Sequence, residues 1–173
     1  EVSYGESTGN LGADAIAIGD DIAVFGFFSE RQTVETPGAY FSAQDITTGE
    51  EIWNLDVPAP DGEFSVLPKG AVIVDETAVL SVNIPGGDYM IYGVDIASGQ
   101  KLWTKEPDYG HPQYVDAYQG EAYLGLGSEI TRVNPRTGSI NDRNESWRGD
   151  PGQIHGNSLF VSSRSSLNAF PLT

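Results

Sequence analysis

Apolar residues along this chain come in short runs of Val, Ile, Leu, Phe and Tyr, and no segment repeats them at helical spacing. Gly, Pro, Asp and Asn interrupt the runs every roughly six to ten residues, as turns do between strands. The first quarter reads as four strands, ADAIAIG, DIAVFGFF, GAYFSAQDI and EEIWNL, joined at 19–21, by a longer loop over 30–37, and at 47–49. The second reads GAVIVD, TAVLSVNI, YMIYGVDI and QKLWTK, with turns at Glu76, at PGGD (85–88) and at ASG (97–99). The third reads PQYVDAYQ, EAYLGLG, EITRVN and a weaker SINDR; the fourth reads GQIHG, SLFVSS and SLNAF. One order recurs: strand, tight turn, strand, looser turn, strand, Thr-Gly turn, strand. A four-stranded antiparallel meander repeated every ~40–50 residues cannot bury both faces alone, and radial stacking of such sheets as propeller blades solves this.

An eleven-residue phrase punctuates the repeat. AQDITTGEEIW (43–53) returns as GVDIASGQKLW (93–103), and in altered form as RVNPRTGSIND (132–142). Gly49, Gly99 and Gly138 fall where a turn between third and fourth strands requires a positive φ, which glycine adopts without a Cβ clash. Thr48, Ser98 and Thr137 precede them, and Asp45 and Asp95 sit three to four residues earlier, placed to accept turn amides. Trp53 and Trp103 follow four residues after their glycines. An indole repeated at blade period fits packing between neighbouring sheets, with its N–H directed at a carbonyl.

These residues resemble a known pattern. Ala43, Asp45, Thr48, Gly49 and Trp53 match every column of the tryptophan-docking motif of the PQQ-like (quinoprotein-type) β-propeller repeat. The second copy has Gly93 for Ala and Ser98 for Thr, read as mild changes, and keeps Asp95, Gly99 and Trp103. The third keeps Thr137 and Gly138 but has Arg132, Asn134 and Asp142 at the Ala, Asp and Trp columns, with Trp147 five residues late. The resemblance implies an all-β propeller of four-stranded antiparallel blades, about four of them: a single domain over 1–173, with blades near 14–56, 64–106, 112–147 and 152–173. Residues 1–8 (EVSYGEST) would close the last blade. Family members usually carry seven or eight blades, so three arrangements stand open: the C-terminal half of a longer propeller, which is favoured, two copies completing one ring, or a small self-closed ring.

Composition narrows the partners. The formal charge is −16, from 25 acidic and 9 basic residues, which disfavours nucleic acid and anionic lipid as ligands. No cysteine is present, which removes disulfides and thiolate chemistry. No run of about 18 apolar residues predicts a membrane span. The front shows no basic region ahead of an apolar run, so no signal peptide is expected; opening without Met, it reads as a processed or excised product.

Candidate chemistry is sparse. The resemblance implies enzymes that hold pyrroloquinoline quinone and calcium over the propeller axis, with an Asp base and often a vicinal Cys pair; no residue here matches those positions. His111 and His155 are isolated and read as surface or capping residues. No nucleophile elbow, phosphate loop or EF-hand spacing occurs; GLGS (125–128) and PGGD read as turns, and Asp20-Asp21, Glu50-Glu51 and Asp75-Glu76 as turn acids. Asn144-Glu145-Ser146 matches a glycosylation sequon, and Tyr109, Tyr114 and Tyr118 read as a recognition patch or as strand packing. The expectation is a non-catalytic, BamB-like propeller scaffold without a cofactor. It would bind protein partners at the cell envelope or outside the cell. The alternatives are a fragment of a PQQ-dependent dehydrogenase or other propeller enzyme, and a half-ring that completes a partner's ring.

Overall fold

The computed structural model describes residues 13–29, 38–58, 66–84, 88–107, 112–126, 129–144, 150–162 and 166–172. These form fifteen strands in four antiparallel sheets. Sheet one holds β1 (Ala13–Ile18), β2 (Ile22–Ser29), β3 (Gly38–Asp45) and β4 (Glu51–Pro58). Sheet two holds β5 (Leu67–Val74), β6 (Thr77–Ile84), β7 (Asp88–Asp95) and β8 (Lys101–Lys105). Sheet three holds β9 (Pro112–Tyr118), β10 (Glu121–Leu126), β11 (Glu129–Val133) and β12 (Ile140–Asn144). Sheet four holds β13 (Asp150–His155), β14 (Ser158–Ser162) and β15 (Leu167–Pro171). Every sheet is a meander with strands side by side in chain order.

The first strands of the sheets, β1, β5, β9 and β13, pack against one another in that order, so sheet follows sheet around an axis. This is the β-propeller architecture. Burial follows from it. Central strand β6 (TAVLSVNI) is buried from Thr77 to Val82 on both faces, because sheet two lies between sheets one and three. Outer strand β4 instead alternates, with Trp53 and Val57 buried and Asn54 and Asp56 exposed.

Three apolar clusters fill the gaps. Val24, Phe41, Ala43, Trp53 and Val57 of sheet one meet Ala71, Leu80, Val82, Tyr92 and Val94 of sheet two. Val72, Val79 and Ile91 meet Ala122, Leu124 and Val133 of sheet three. Tyr123 and Ile130 meet Leu159, Val161 and Leu172 of the fourth sheet. Fully burying a side chain such as Leu80 stabilises the fold by about 2 kcal/mol.

Several sequence expectations are revised at the strand ends. Gly125 and Leu126 of GLGS belong to β10, because Leu126 buries its side chain against sheet two. Glu51 opens β4 and leaves the turn, and Asp88 opens β7. EVSYGEST, residues 30–37 and 85–87, Tyr109, His111, Glu145-Ser146 of the sequon and Trp147 lie outside the described residues.

Candidate functional site

The residues of the repeated phrase come together at the junctions between sheets. In the first turn, Asp45 Oδ1 accepts the amides of Thr47 and Thr48, both at 2.8 Å, and Thr48 Oγ1 accepts Glu50 N at 3.2 Å. The Gly49 amide donates to Asp45 O at 2.8 Å, and its φ is 74°. In the second turn Asp95 Oδ1 accepts both the amide and the hydroxyl of Ser98, at 2.9 and 2.7 Å, and Gly99 has φ 72°. The third turn does the same without a charge: Asn134 Oδ1 accepts Arg136 N at 3.0 Å and Thr137 N at 3.1 Å, and Gly138 has φ 69°. Asn134 therefore replaces Asp as an equal acceptor, since only its carbonyl oxygen is used.

Each downstream turn receives an indole from the preceding sheet. Trp53 Nε1 donates to Ile96 O at 2.7 Å, and its ring lies where a Cβ on Gly99 would sit 2.7 Å from Cγ. Trp103 Nε1 donates to Pro135 O at 2.6 Å, and a Cβ on Gly138 would meet its Cδ2 at 2.7 Å. Lys105 adds a second tie at this junction, donating to Gly138 O at 3.1 Å. Glycine is thus required twice over, for its φ and for the ring above it. The accepting carbonyls carry no side-chain signature, so sequence reading had no means of naming them.

One position corrects the sequence reading. The Gly93 change is not a mild one: a Cβ there would meet Trp103 Nε1 at 2.1 Å, so this indole lies on bare backbone across the strand pair. The opposite pair, Ala43 and Trp53, is also in register, yet there a methyl group is accommodated. Asp142 stands at the Trp column of the third sheet and is exposed. Sheets three and four are joined instead by apolar side chains and by Ile154 N donating to Asp116 Oδ2 at 3.3 Å.

The turn carboxylates titrate with their turns. The Thr48 and Thr47 amides hold the Asp45 carboxyl below its usual range, and the Ser98 hydroxyl and amide do the same for Asp95. A lowered folded pKa gives stability that is present above the unfolded value, about 3.9, and is lost as pH falls through the folded value. Asp45→Asn should keep the turn, as Asn134 does, and remove its share of this dependence. Thermal melts at pH 7 and pH 3 should therefore show the parent losing more than the variant. An identical loss in both proteins would contradict the assignment.

Other candidate groups serve local structure. Glu51 accepts Tyr40 Oη at 2.9 Å, Ser42 Oγ at 3.1 Å and Asn54 Nδ2 at 2.9 Å. Burial and the bond to Glu51 push the Tyr40 phenol up to about 12. Tyr118 packs edge-on against Tyr123, with ring centroids 6.4 Å apart, and joins the sheet-three and sheet-four cluster. His155 ends β13 and is exposed.

Pyrroloquinoline quinone, which the quinoprotein resemblance implies, is a tricarboxylate that needs converging cations beside a metal ion. Lys101 instead lies over the Tyr92 ring, 5.7 Å from its centroid, and Lys105 is tied to Gly138 O. Arg132 pairs with Glu121 at 2.9 Å, and Arg136 pairs with Glu76. Among the described residues no group of three His, Asp or Glu side chains could hold a metal ion. These four cations are each committed to a neighbouring ring, carbonyl or carboxylate, so none of them is set aside for the cofactor's carboxylates.

Comparison with solved structures places the fold. BamB from Moraxella catarrhalis is 20% identical, with a TM-score of 0.61 over 92% of this chain and 47% of that one. The computationally designed Ika4 protein is 14% identical, with a TM-score of 0.62 over 99% of this chain and 96% of its own. The quinohemoprotein alcohol dehydrogenase from Comamonas testosteroni is 12% identical, with a TM-score of 0.57 over 89% of this chain and 31% of the enzyme. At such identities the likeness is one of fold, and the chain spans about half the length of the BamB structure. No curated protein matches the sequence. The sequence does match, over residues 4–144, the PQQ-type family described as outer membrane protein assembly factor BamB, and the chain belongs to that family.

Proposed function

We propose that this chain is a non-catalytic propeller scaffold that binds protein partners at the cell envelope or outside the cell. The observation that supports this most is how the motif side chains are used. Asp45, Thr48, Asp95, Ser98 and Thr137 close turns, the last by accepting Ser139 N on its hydroxyl, while Trp53 and Trp103 tie one sheet to the next. Groups so engaged are not free for turnover, and they give the connecting loops a rigid base from which to meet a partner. On this reading the sheets are blades of one domain with bounds near 14–56, 64–106, 112–147 and 152–173, residues 1–8 close the last blade, and the repeated phrase is a tryptophan-docking motif. Membership of the BamB family favours the envelope setting. No helix among the described residues is long and apolar enough to cross a membrane. Likeness to a quinohemoprotein dehydrogenase is likeness of fold and carries no chemistry here.

The test is capture from native envelope extract with the chain as bait, at low and high salt, followed by mass spectrometry. The expected result is the same partner proteins at both salts. A bait that stays folded and recovers nothing, or one that retains quinone absorbance after incubation with the quinone and calcium, would overturn the scaffold reading.

A further inference from the structure

Residues opposite one another on neighbouring strands share a face of their sheet, so strand register gives the row that ends at the Trp column. In sheet one that row is Ala17, Val24, Ala43 and Trp53, and it packs towards sheet two. In sheet two it is Val72, Val79, Gly93 and Trp103, packed towards sheet three. In sheet three the same row is Asp116, Tyr123, Arg132 and Asp142. Two rows are apolar and end in an indole. The third carries an ionisable group at every place.

This polar row is organised around Arg132. Its Nε lies 2.9 Å from Glu121 Oε2, and its guanidinium is hydrogen-bonded to the Tyr123 phenol. Asp142 stands opposite it across the strand pair and attracts the same charge. Nε is shielded from solvent, although the arginine side chain as a whole is 30% exposed and that of Glu121 24%. Tyr123 is 2% exposed and packs with Leu159, Val161 and Leu172 of sheet four. Asp116 is occupied by backbone: Oδ1 accepts Ala117 N at 2.8 Å, and Oδ2 accepts Ile154 N of sheet four at 3.3 Å. The contacts thus run from Glu121 through Arg132 to Tyr123, and from there into the apolar contact with sheet four.

We propose that Arg132 is a charge lock that holds sheet four on sheet three, at the column where the first two junctions use an indole. It acts as a positioning residue, fixing the Tyr123 ring while neutralising Glu121 and Asp142. Removing one member of a shielded charge network costs more than the network contributes, because the remaining charges are left uncompensated. Without the arginine, two carboxylates would lose their counter-charge beside an apolar contact. Sheet four would then release as a unit while the indoles keep sheets one to three together. The lock is a property of the chain by itself, whatever partner it binds.

Hydrogen exchange read by mass spectrometry on the full chain tests this. Residues 159–161 of β14 report on sheet four, and residues 79–82 of β6 report on the part held by the indoles. Arg132→Met keeps much of the side chain's length and removes its charge. It should speed exchange in β14 at least about ten-fold, as local opening does, and leave β6 within about two-fold. Adding Glu121→Gln and Asp142→Asn to that variant should return most of the lost protection, since both carboxylates that lost their counter-charge are then neutral. A loss of packing alone would not be repaired in this way. Unchanged exchange in β14 would overturn the proposal, because another group would then hold the joint. So would equal acceleration in both strands, global unfolding included. A triple variant no better protected than Arg132→Met alone would overturn it as well.

Discussion

Trp53→Ala should destabilise the protein by about 4 kcal/mol, the usual cost of removing a buried indole from a packed site. In a chain of this size that lowers Tm by roughly 10 °C. Three losses combine: apolar burial of a side chain only 7% exposed, the bond to Ile96 O, and the ring contact over Gly99. Ile96 O would be left as a buried acceptor with its donor gone, which adds to the loss of packing. Trp103→Ala should cost less, because that ring is half-buried and Lys105 holds the same turn through Gly138 O. Melting curves of the two variants check both the size and the order of these effects.

Gly99→Ala should cost about 3 kcal/mol, from two separable causes. A φ of 72° disfavours any Cβ by about 1 kcal/mol, and a Cβ 2.7 Å from Trp53 Cγ forces the ring to shift at a further cost of about 1–3 kcal/mol. Gly156→Ala separates the two, because its φ is 61° and nothing lies within 4 Å of the added methyl. That variant should lose only the backbone part. Denaturant unfolding of both proteins gives the comparison directly, and equal losses would remove the indole from the account.

Much of this was readable before any coordinates. Gly49, Gly99 and Gly138 announce themselves because a positive φ in a tight turn admits few other residues. Trp53 and Trp103 do so because an indole recurring at blade period has packing as its simplest cause. The outer strand β4 reads by alternation, whereas β6 reads only as an unbroken apolar run, since both its faces are covered.

What stayed hidden has physical reasons too. The acceptors Ile96 O and Pro135 O are backbone atoms, and any residue in that column supplies one. The closeness of Trp103 to Gly93 depends on how far the ring leans across its strand pair, which spacing does not encode. Asn134 looked like a departure because letters were compared; the bonds show that Asp and Asn offer the turn the same oxygen.

The central claim is that an indole seated over a turn glycine joins each of the first two sheets to the next. A double-mutant cycle between Trp53→Ala and Gly99→Ala measures this, because residues in contact deviate from additivity and independent ones do not. With the ring absent, Gly99→Ala should cost no more than Gly156→Ala does. If Gly99→Ala costs the same with and without Trp53, the ring and the turn act separately, and the account of how these sheets are held together is wrong.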